Sequence, residues 1–356
     1  MESGVERARA TASREVLFPM QQVTVVGPND VQLVETREPK PGPRDVVVKV
    51  AACGICGSDL GYIAMGGMPV SSGGPLALGH EISGVIHAVG EAVEGLKVGQ
   101  RVAVNAEGAG NHIGGGGPSG GFAPYLLVRN ASEDACLHPL PESLPLHQGA
   151  LVEPLGVGMH AVHRSELRPA DKVVVFGAGP IGLASIVCLR YRGATDIVAV
   201  DLSDTRLAIA ERLGARVVCN PASAETWEVI REAHGRESVH GMPAVGTDVY
   251  VETTGAPQVV RDVFGNAKLG TRLVVVAVYK QEISLPFLDV MAKELTIRGS
   301  IALGHEFAEV IEMLASGEVD VSPMVTHELG FERFMEALET ARQTDRAGKV
   351  LVTFPS

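Results

Sequence analysis

Four clusters of residues in this sequence have the types and spacing to do chemistry. Cys53-Gly-Ile-Cys56 sets two thiols three residues apart, and His80-Glu81 puts an imidazole beside a carboxylate. Glu153 is an acid in apolar company, and Gly177-Ala-Gly-Pro-Ile-Gly182 is a glycine triplet followed by an acid at Asp201. A C-x-x-C pair serves metal binding or thiol–disulfide exchange. A zinc ribbon needs a second such pair, and the five cysteines (53, 56, 136, 188, 219) do not provide one. A thioredoxin-like motif should open a helix after a strand in a small α/β domain, whereas the surroundings of Cys53 are β-rich. One cysteine as a ligand and the other as packing fits better. A lone histidine at position 80 would read as a satisfied core residue; beside a candidate thiolate it becomes a candidate ligand. Glu153, taken alone, reads as an acid favoured by the dipole at a helix start.

The elements that must position these groups follow from the apolar pattern. Val173 to Phe176 is a short continuous apolar run, the mark of a strand buried on both faces. Gly177, Gly179 and Gly182 then fit G-x-G-x-x-G, a small-residue helix follows, and a second buried run ends on Asp201. In that order the first glycine makes a tight turn, the second admits a pyrophosphate to the backbone, and the third lets helix and strand pack. Free N–H groups at the helix start hold the phosphates. Asp201 would accept hydrogen bonds from the adenosine ribose and repel a 2′-phosphate, which predicts NAD rather than NADP. Further strands are expected at 217–220, 248–255, 270–278 and 294–301, alternating with helices at 205–214, 225–234 and 257–267. This alternation predicts a doubly wound parallel sheet. Residues 235–246 read as a polar loop. The runs at 23–26, 31–34 and 46–50 predict a β domain without helical periodicity, and residues 105–121 form a glycine-rich, flexible loop with no cysteine.

A length of 356 residues suits two domains. With 46% hydrophobic but only 4% aromatic residues, the cores must rest on Val, Leu, Ile and Ala. A net charge of −12 argues against a nucleic-acid or anionic-membrane partner. No apolar run is long enough to span a bilayer, and Met1 to Ala10 lacks the apolar core of a secretory signal. Residues 1–14 are expected as a disordered tail, and few, scattered cysteines point to a reducing, cytoplasmic setting.

Gly54-Ile-Cys-Gly-Ser-Asp59, Gly79-His-Glu81 with Gly84 and Gly90, Glu153-Pro154 and Gly177-Ala-Gly-Pro-Ile-Gly182 occur together. With them the chain resembles, nearly end to end, the zinc-dependent medium-chain alcohol dehydrogenases, above all the sorbitol, butanediol and threonine dehydrogenase branch. The resemblance implies an α/β fold: a GroES-like β-barrel catalytic domain (15–157 and 302–356) with a Rossmann NAD-binding domain (158–301) inserted. It implies Cys56 and His80 as ligands of a catalytic Zn²⁺, with Glu153 as the third protein ligand of this branch. Glu81 would be the acid beside the metal that binds directly in some relatives and exchanges with water in others; Cys53 matches no ligand. Ser58 resembles the hydroxyl that contacts substrate oxygen and passes its proton on. Gly177, Gly179, Pro180 and Gly182 would hold the pyrophosphate, with Lys349 nearby, and Asp201 and Arg206 the adenosine ribose. Ile181, Val276, Val278, Ser300 and Ile301 would line the cofactor. The implied reaction moves hydride between a secondary alcohol or diol and NAD, giving the ketone, in a homodimer or homotetramer joined through an edge of the Rossmann sheet.

Three departures qualify the resemblance. The 105–121 loop lacks the four cysteines that hold a structural zinc in many relatives, which implies one metal ion per subunit. Gly61 stands where many relatives keep a relay histidine, and Ala302-Leu303 stands where sorbitol-type enzymes carry an Arg-Tyr pair that binds polyol hydroxyls. A site without those donors should favour a less hydroxylated secondary alcohol, because unpaired hydroxyls are costly to bury. The alternatives on this scaffold are a zinc-free quinone or enoyl reductase and a non-catalytic cofactor-binding protein. Neither needs Cys56, His80 and Glu153 together.

Overall fold

The β-branched runs of the first third of the chain build an antiparallel unit. Its elements are β1 (Pro19–Gly27), β2 (Asp30–Arg37), β3 (Val46–Gly54), α1 (Gly57–Met65), β4 (Leu76–Ala77), β5 (Glu81–Val89), β6 (Arg101–Asn105), β7 (Tyr125–Val128) and β8 (Leu137–Pro139). The computed structural model describes residues 19–68, 74–132, 135–301 and 304–355. The tail expected at 1–14 and the Ala302-Leu303 pair lie outside the described residues. After α2 (Leu146–Gly149) and α3 (Val152–Ser165) the pattern changes to β9 (Lys172–Phe176), α4 (Pro180–Tyr191), β10 (Asp196–Val200), α5 (Asp204–Arg212), β11 (Val217–Cys219) and α6 (Thr226–His234). A hairpin of β12 (Arg236–Val239) and β13 (Met242–Val245) precedes β14 (Val249–Glu252), α7 (Pro257–Asn266), β15 (Arg272–Val275), α8 (Phe287–Ala292) and β16 (Thr296–Gly299). The chain closes with α9 (Phe307–Ser316), β17 (Val325–Gly330), α10 (Phe334–Arg342) and β18 (Lys349–Thr353).

The parallel sheet has the order β11-β10-β9-β14-β15-β16. Order reverses between β9 and β14, so the crevice at their carboxyl ends is the place for a ligand. In the antiparallel sheet, order β17-β18-β3-β5-β6-β8 with β7 also on β3, the last strand of the chain completes the first domain. β3 pairs with β5 along its length, with β7 over Val46–Lys49 and with β18 over Ala52–Gly54. This explains why its residues are almost continuously buried rather than alternating. Among the described residues no helix is long and apolar enough to cross a membrane.

Three expectations need correction. Residues 235–246 are not a plain polar loop but hold the β12–β13 hairpin. Its two turn residues, His240 and Gly241, both have positive φ (52° and 80°), as a tight hairpin matched to strand twist requires. The C-x-x-C does lie between a strand and a helix, β3 and α1, though in an antiparallel setting. The glycine-rich loop is tied down by Asn111, whose amide donates to the Gly108 and Arg129 carbonyls (2.7 and 2.9 Å) and accepts from the Arg129 N–H (2.9 Å). Helix α8 falls in a stretch to which the sequence pattern assigned nothing. It has no buried residue, so no periodicity betrays it.

His234, at the end of α6, is 1% exposed. Its Nδ1 lies 2.8 Å from the Thr247 hydroxyl and its Nε2 3.3 Å from Asp196. Burial pushes its pKa down to about 4, with Asp196 opposing and Lys172 and Arg216 assisting. The unfolded chain takes up this proton near its ordinary value of 6.5 and the folded chain does not, so stability falls with pH between about 6.5 and 4 and levels off below. The loss should reach roughly 3 kcal/mol. Urea unfolding of His234→Gln across that range should give a correspondingly flatter profile; an unchanged slope would remove His234 as its source.

Candidate active site

The thiol, imidazole and carboxylate singled out in the first domain come together where β3, α1 and β5 meet. One donor atom from each of Cys56, His80 and Glu81 lies within 4.8 Å of the others, and among the described residues no other such group of three forms. Cys56 precedes α1, and its backbone N–H donates to Asp59 at 2.9 Å. Asp59 is fully buried, accepts from the Gly79 N–H at 3.3 Å, and stands 3.6 Å from His80 Nδ1. The carboxylate therefore fixes the imidazole by one nitrogen and leaves Nε2 for the cluster, as metal-binding histidines are commonly oriented. Burial opposes the charged form of His80, but the Asp59 charge and hydrogen bond, with Cys56, outweigh it and raise the imidazole pKa well above normal. Ser58 Oγ lies 3.3 Å from His80 Nε2. Cys53, one residue from the end of β3, is fully buried, and burial, with Asp59 and Glu81, pushes its thiol pKa far up. It packs as a neutral thiol, so the two cysteines have the separate fates that their surroundings suggested.

Two placements differ from expectation. Glu153, in the first turn of α3, is not part of the 4.8 Å group. The charges of the cluster nevertheless reach its carboxyl. Burial raises its pKa to about 7, His80 and Lys349 pull it back, and Glu81 and Asp59 push it further up. Lys349 is not at the glycine turn. It is fully buried, and its Nζ donates to both oxygens of Glu81 (2.5 and 2.6 Å) and to the Ile55 carbonyl (3.1 Å). A cation without exposure must be neutralised by what it touches, and the nearest acid is a residue of the cluster rather than a phosphate.

The nucleotide cleft lies at the carboxyl ends of the parallel strands. Gly177 has φ +93°, and a Cβ on Gly182 would collide with the Gly177 carbonyl, so both positions require glycine. Gly179 precedes α4 in an extended conformation and Pro180 is its first residue, leaving the helix N-terminus clear for an anion. Asp201 accepts from the N–H groups of Ala178 (2.7 Å) and Ser203 (2.8 Å). Arg206 crosses the turn, its NH1 3.8 Å from where a Gly179 Cβ would sit and its Nε donating to Ala347 O at 2.9 Å. Beside the turn a cavity of about 580 Å³ is lined by Phe176, Val200, Pro221, Trp227 and Val259, among others. Ile181 and Val276 are half-buried, while Val278 and Ile301 are 86% and 78% exposed. Ser300 Oγ is buried without a hydrogen-bond partner among the described residues. A vacant donor of that kind suits a polar ligand.

Asp59 and the Glu252-Thr-Thr-Gly255 turn were not singled out in the sequence. The signal for Asp59 was its place three residues after Cys56, the spacing of a capping box. For Glu252 it was an acid closing a buried strand.

The profile of the alcohol dehydrogenase GroES-like domain matches residues 42–142, and that of the zinc-binding dehydrogenases matches residues 180–316. The chain is 36% identical to the (R,R)-butanediol dehydrogenase of Bacillus subtilis (strain 168), over 86% of this chain and 91% of that protein. It is 32% identical to the sorbitol dehydrogenase of Homo sapiens, over 90% and 92%. The crystal structure of the Bacillus subtilis 2R,3R-butanediol dehydrogenase superimposes with a TM-score of 0.83 at 33% identity, covering 95% of this chain and 100% of that one. A short chain alcohol dehydrogenase of E. coli CFT073, complexed with NADH, superimposes with a TM-score of 0.81 at 26% identity, over 94% and 99%. The chain belongs to the zinc-dependent medium-chain alcohol dehydrogenase family.

Proposed function

We propose that this chain is a zinc- and NAD-dependent dehydrogenase that interconverts secondary alcohols or diols and their ketones. The observation that carries this reading is the convergence of Cys56, His80 and Glu81 within 4.8 Å. A thiolate, an imidazole and a carboxylate are a zinc donor set that leaves a position open for substrate. A zinc-free reductase has no use for it. Bound Zn²⁺ lowers the pKa of the substrate hydroxyl, and the nicotinamide of NAD accepts the hydride. The chain's own residues do the rest. Asp59 holds His80 in one tautomer. Ser58, beside His80 Nε2, receives the substrate hydroxyl proton. Among the described residues nothing lies within 4 Å of where a Cβ on Gly61 would be, and the proton leaves Ser58 to water or to the cofactor ribose. Glu153, its pKa raised to about 7 by burial, can hold or release a proton near neutrality.

Asp201, at the carboxyl end of β10, supports NAD over NADP, and the 580 Å³ cavity beside it suits the adenine. The substrate is assigned as a sparsely hydroxylated secondary alcohol, because Ala302-Leu303 offers no hydrogen-bond donors where polyol enzymes have them. Phe287, Leu288 and Met291 of α8 and Ile297 of β16 are exposed along the outer edge of the parallel sheet. Such a row of apolar side chains beside an edge strand supports a homo-oligomer joined there, and the composition supports a cytoplasmic setting.

Cys56→Ser should lose bound zinc and at least 100-fold in turnover, and Asp59→Asn should weaken metal affinity about 10–100-fold. Metal analysis beside an NAD⁺-reduction assay reads both, and full turnover in Cys56→Ser would refute the zinc mechanism. Asp201→Ala should lower the ratio of kcat/KM for NAD⁺ over NADP⁺ by about tenfold or more; unchanged discrimination would remove that carboxylate from cofactor choice. Turnover of 2,3-butanediol and of bulkier apolar secondary alcohols should exceed that of sorbitol, and a preference for sorbitol would sink the substrate assignment.

A further inference from the structure

Glu252 closes β14 just across the switch point from the glycine turn. It is fully buried. Its carboxylate accepts from the N–H groups of Thr254 (2.7 Å) and Gly255 (3.2 Å), from the Thr254 hydroxyl, and from the phenol of Tyr279. Its backbone carbonyl accepts from the N–H groups of Val276 and Ala277 (2.9 and 3.2 Å). The adjoining Thr253 hydroxyl donates to the Phe176 carbonyl at 2.8 Å and stands 3.1 Å from that of Gly177. One buried acid thus gathers three segments at the mouth of the cleft: the glycine turn through Thr253, the 253–255 turn directly, and the segment 276–279 that follows β15. Gly255 has φ +70°, and a Cβ there would come within 3.0 Å of the Val278 carbonyl, so the last two segments are stacked without slack.

Tyr279 is the side-chain end of this arrangement. Its ring packs on the apolar cluster of Phe176, Tyr250 and Leu273. Burial and the Glu252 carboxylate push its hydroxyl pKa up, so it remains a proton donor. We infer that Tyr279 is a positioning residue for the nicotinamide cofactor. Through Glu252 it holds Val276 and Val278 at a fixed spacing from Gly177, in the shape that the cofactor meets. The inference rests on the cofactor reading given above. Removing the phenolic hydroxyl leaves Glu252 with the Thr254 and Gly255 donors. The 253–255 turn should therefore survive, and only the 276–279 segment should loosen.

The test is titration of NADH into wild-type and Tyr279→Phe protein, followed by quenching of Trp227, the single tryptophan, beside steady-state kinetics with 2,3-butanediol. Loss of one hydrogen bond to a buried carboxylate corresponds to about tenfold in binding. The Kd for NADH and the KM for NAD⁺ should rise by that factor, with kcat, the KM for the diol and zinc content within about twofold of wild type. Glu252→Asp, whose shorter arm withdraws the carboxylate from the phenol, should reproduce the same split and serves if Tyr279→Phe does not fold. Unchanged NADH affinity in the folded variants would overturn the positioning role while leaving the dehydrogenase reading intact. Failure of the wild-type protein to bind NADH would overturn the cofactor reading and this inference with it.

Discussion

Lys349 and Glu81 are both wholly withdrawn from water; burial opposes the Lys349 ammonium, and the Glu81 carboxylate against it outweighs that and raises the lysine's pKa. Removing a charge from water costs several kcal/mol, and deleting one member of a buried pair typically costs about 3–5 kcal/mol, because the survivor is left uncompensated. The two residues are 268 positions apart. Glu81 opens β5 and Lys349 opens β18, so their contact is possible only when the last strand of the chain has joined β3. The pair therefore acts as an electrostatic check on whether the first domain is closed, placed directly against the donor atoms of Cys56 and His80.

In the zinc reading proposed above, the same contact would set the charge of the metal centre. A thiolate and a carboxylate together cancel a divalent ion, and a centre so neutralised pulls weakly on a substrate oxygen. Lys349 restores one positive charge beside Glu81. The lysine that the family pattern pointed towards the pyrophosphate has its amino group against Glu81 and the Ile55 carbonyl instead. Two residues before it, the Ala347 carbonyl accepts from Arg206 at the glycine turn. Three consecutive residues touch both the nucleotide side and the metal side, so the spacing between them is set by where β18 begins.

How far the sequence disclosed this can be judged residue by residue. Gly177, Gly179, Gly182 and Asp201 were legible because their roles are local: a turn, a helix start and a strand end follow one another within thirty positions. Cys56 and His80 were legible as a pair of suitable donors at suitable places. The Lys349–Glu81 contact was not legible, because nothing in the run around Lys349 records that a buried acid waits on another strand; pairing at long range leaves no periodicity. Glu153 was read as a ligand only from the pattern of its relatives, because its own run marks nothing more than an acid at a helix start. The β12–β13 hairpin and α8 were missed for a related reason. Both are mostly exposed, so the alternation that burial imposes on a sequence is absent there.

Cys53 and Cys56 show most directly what decides chemistry in this site. They share one motif, and composition cannot separate them. Cys53 is inside β3, where alternate partners on both edges leave no water and neighbouring carboxylates oppose a thiolate, so the thiol is held neutral. Cys56 has stepped past the strand to the N-cap position of α1, where its backbone N–H is taken by Asp59. Asp59 then closes the first turn on the Cys56 backbone and, with its other oxygen, aims His80 at the space beside the sulfur. A single turn of helix thus selects which cysteine can serve a metal and orients the histidine that joins it.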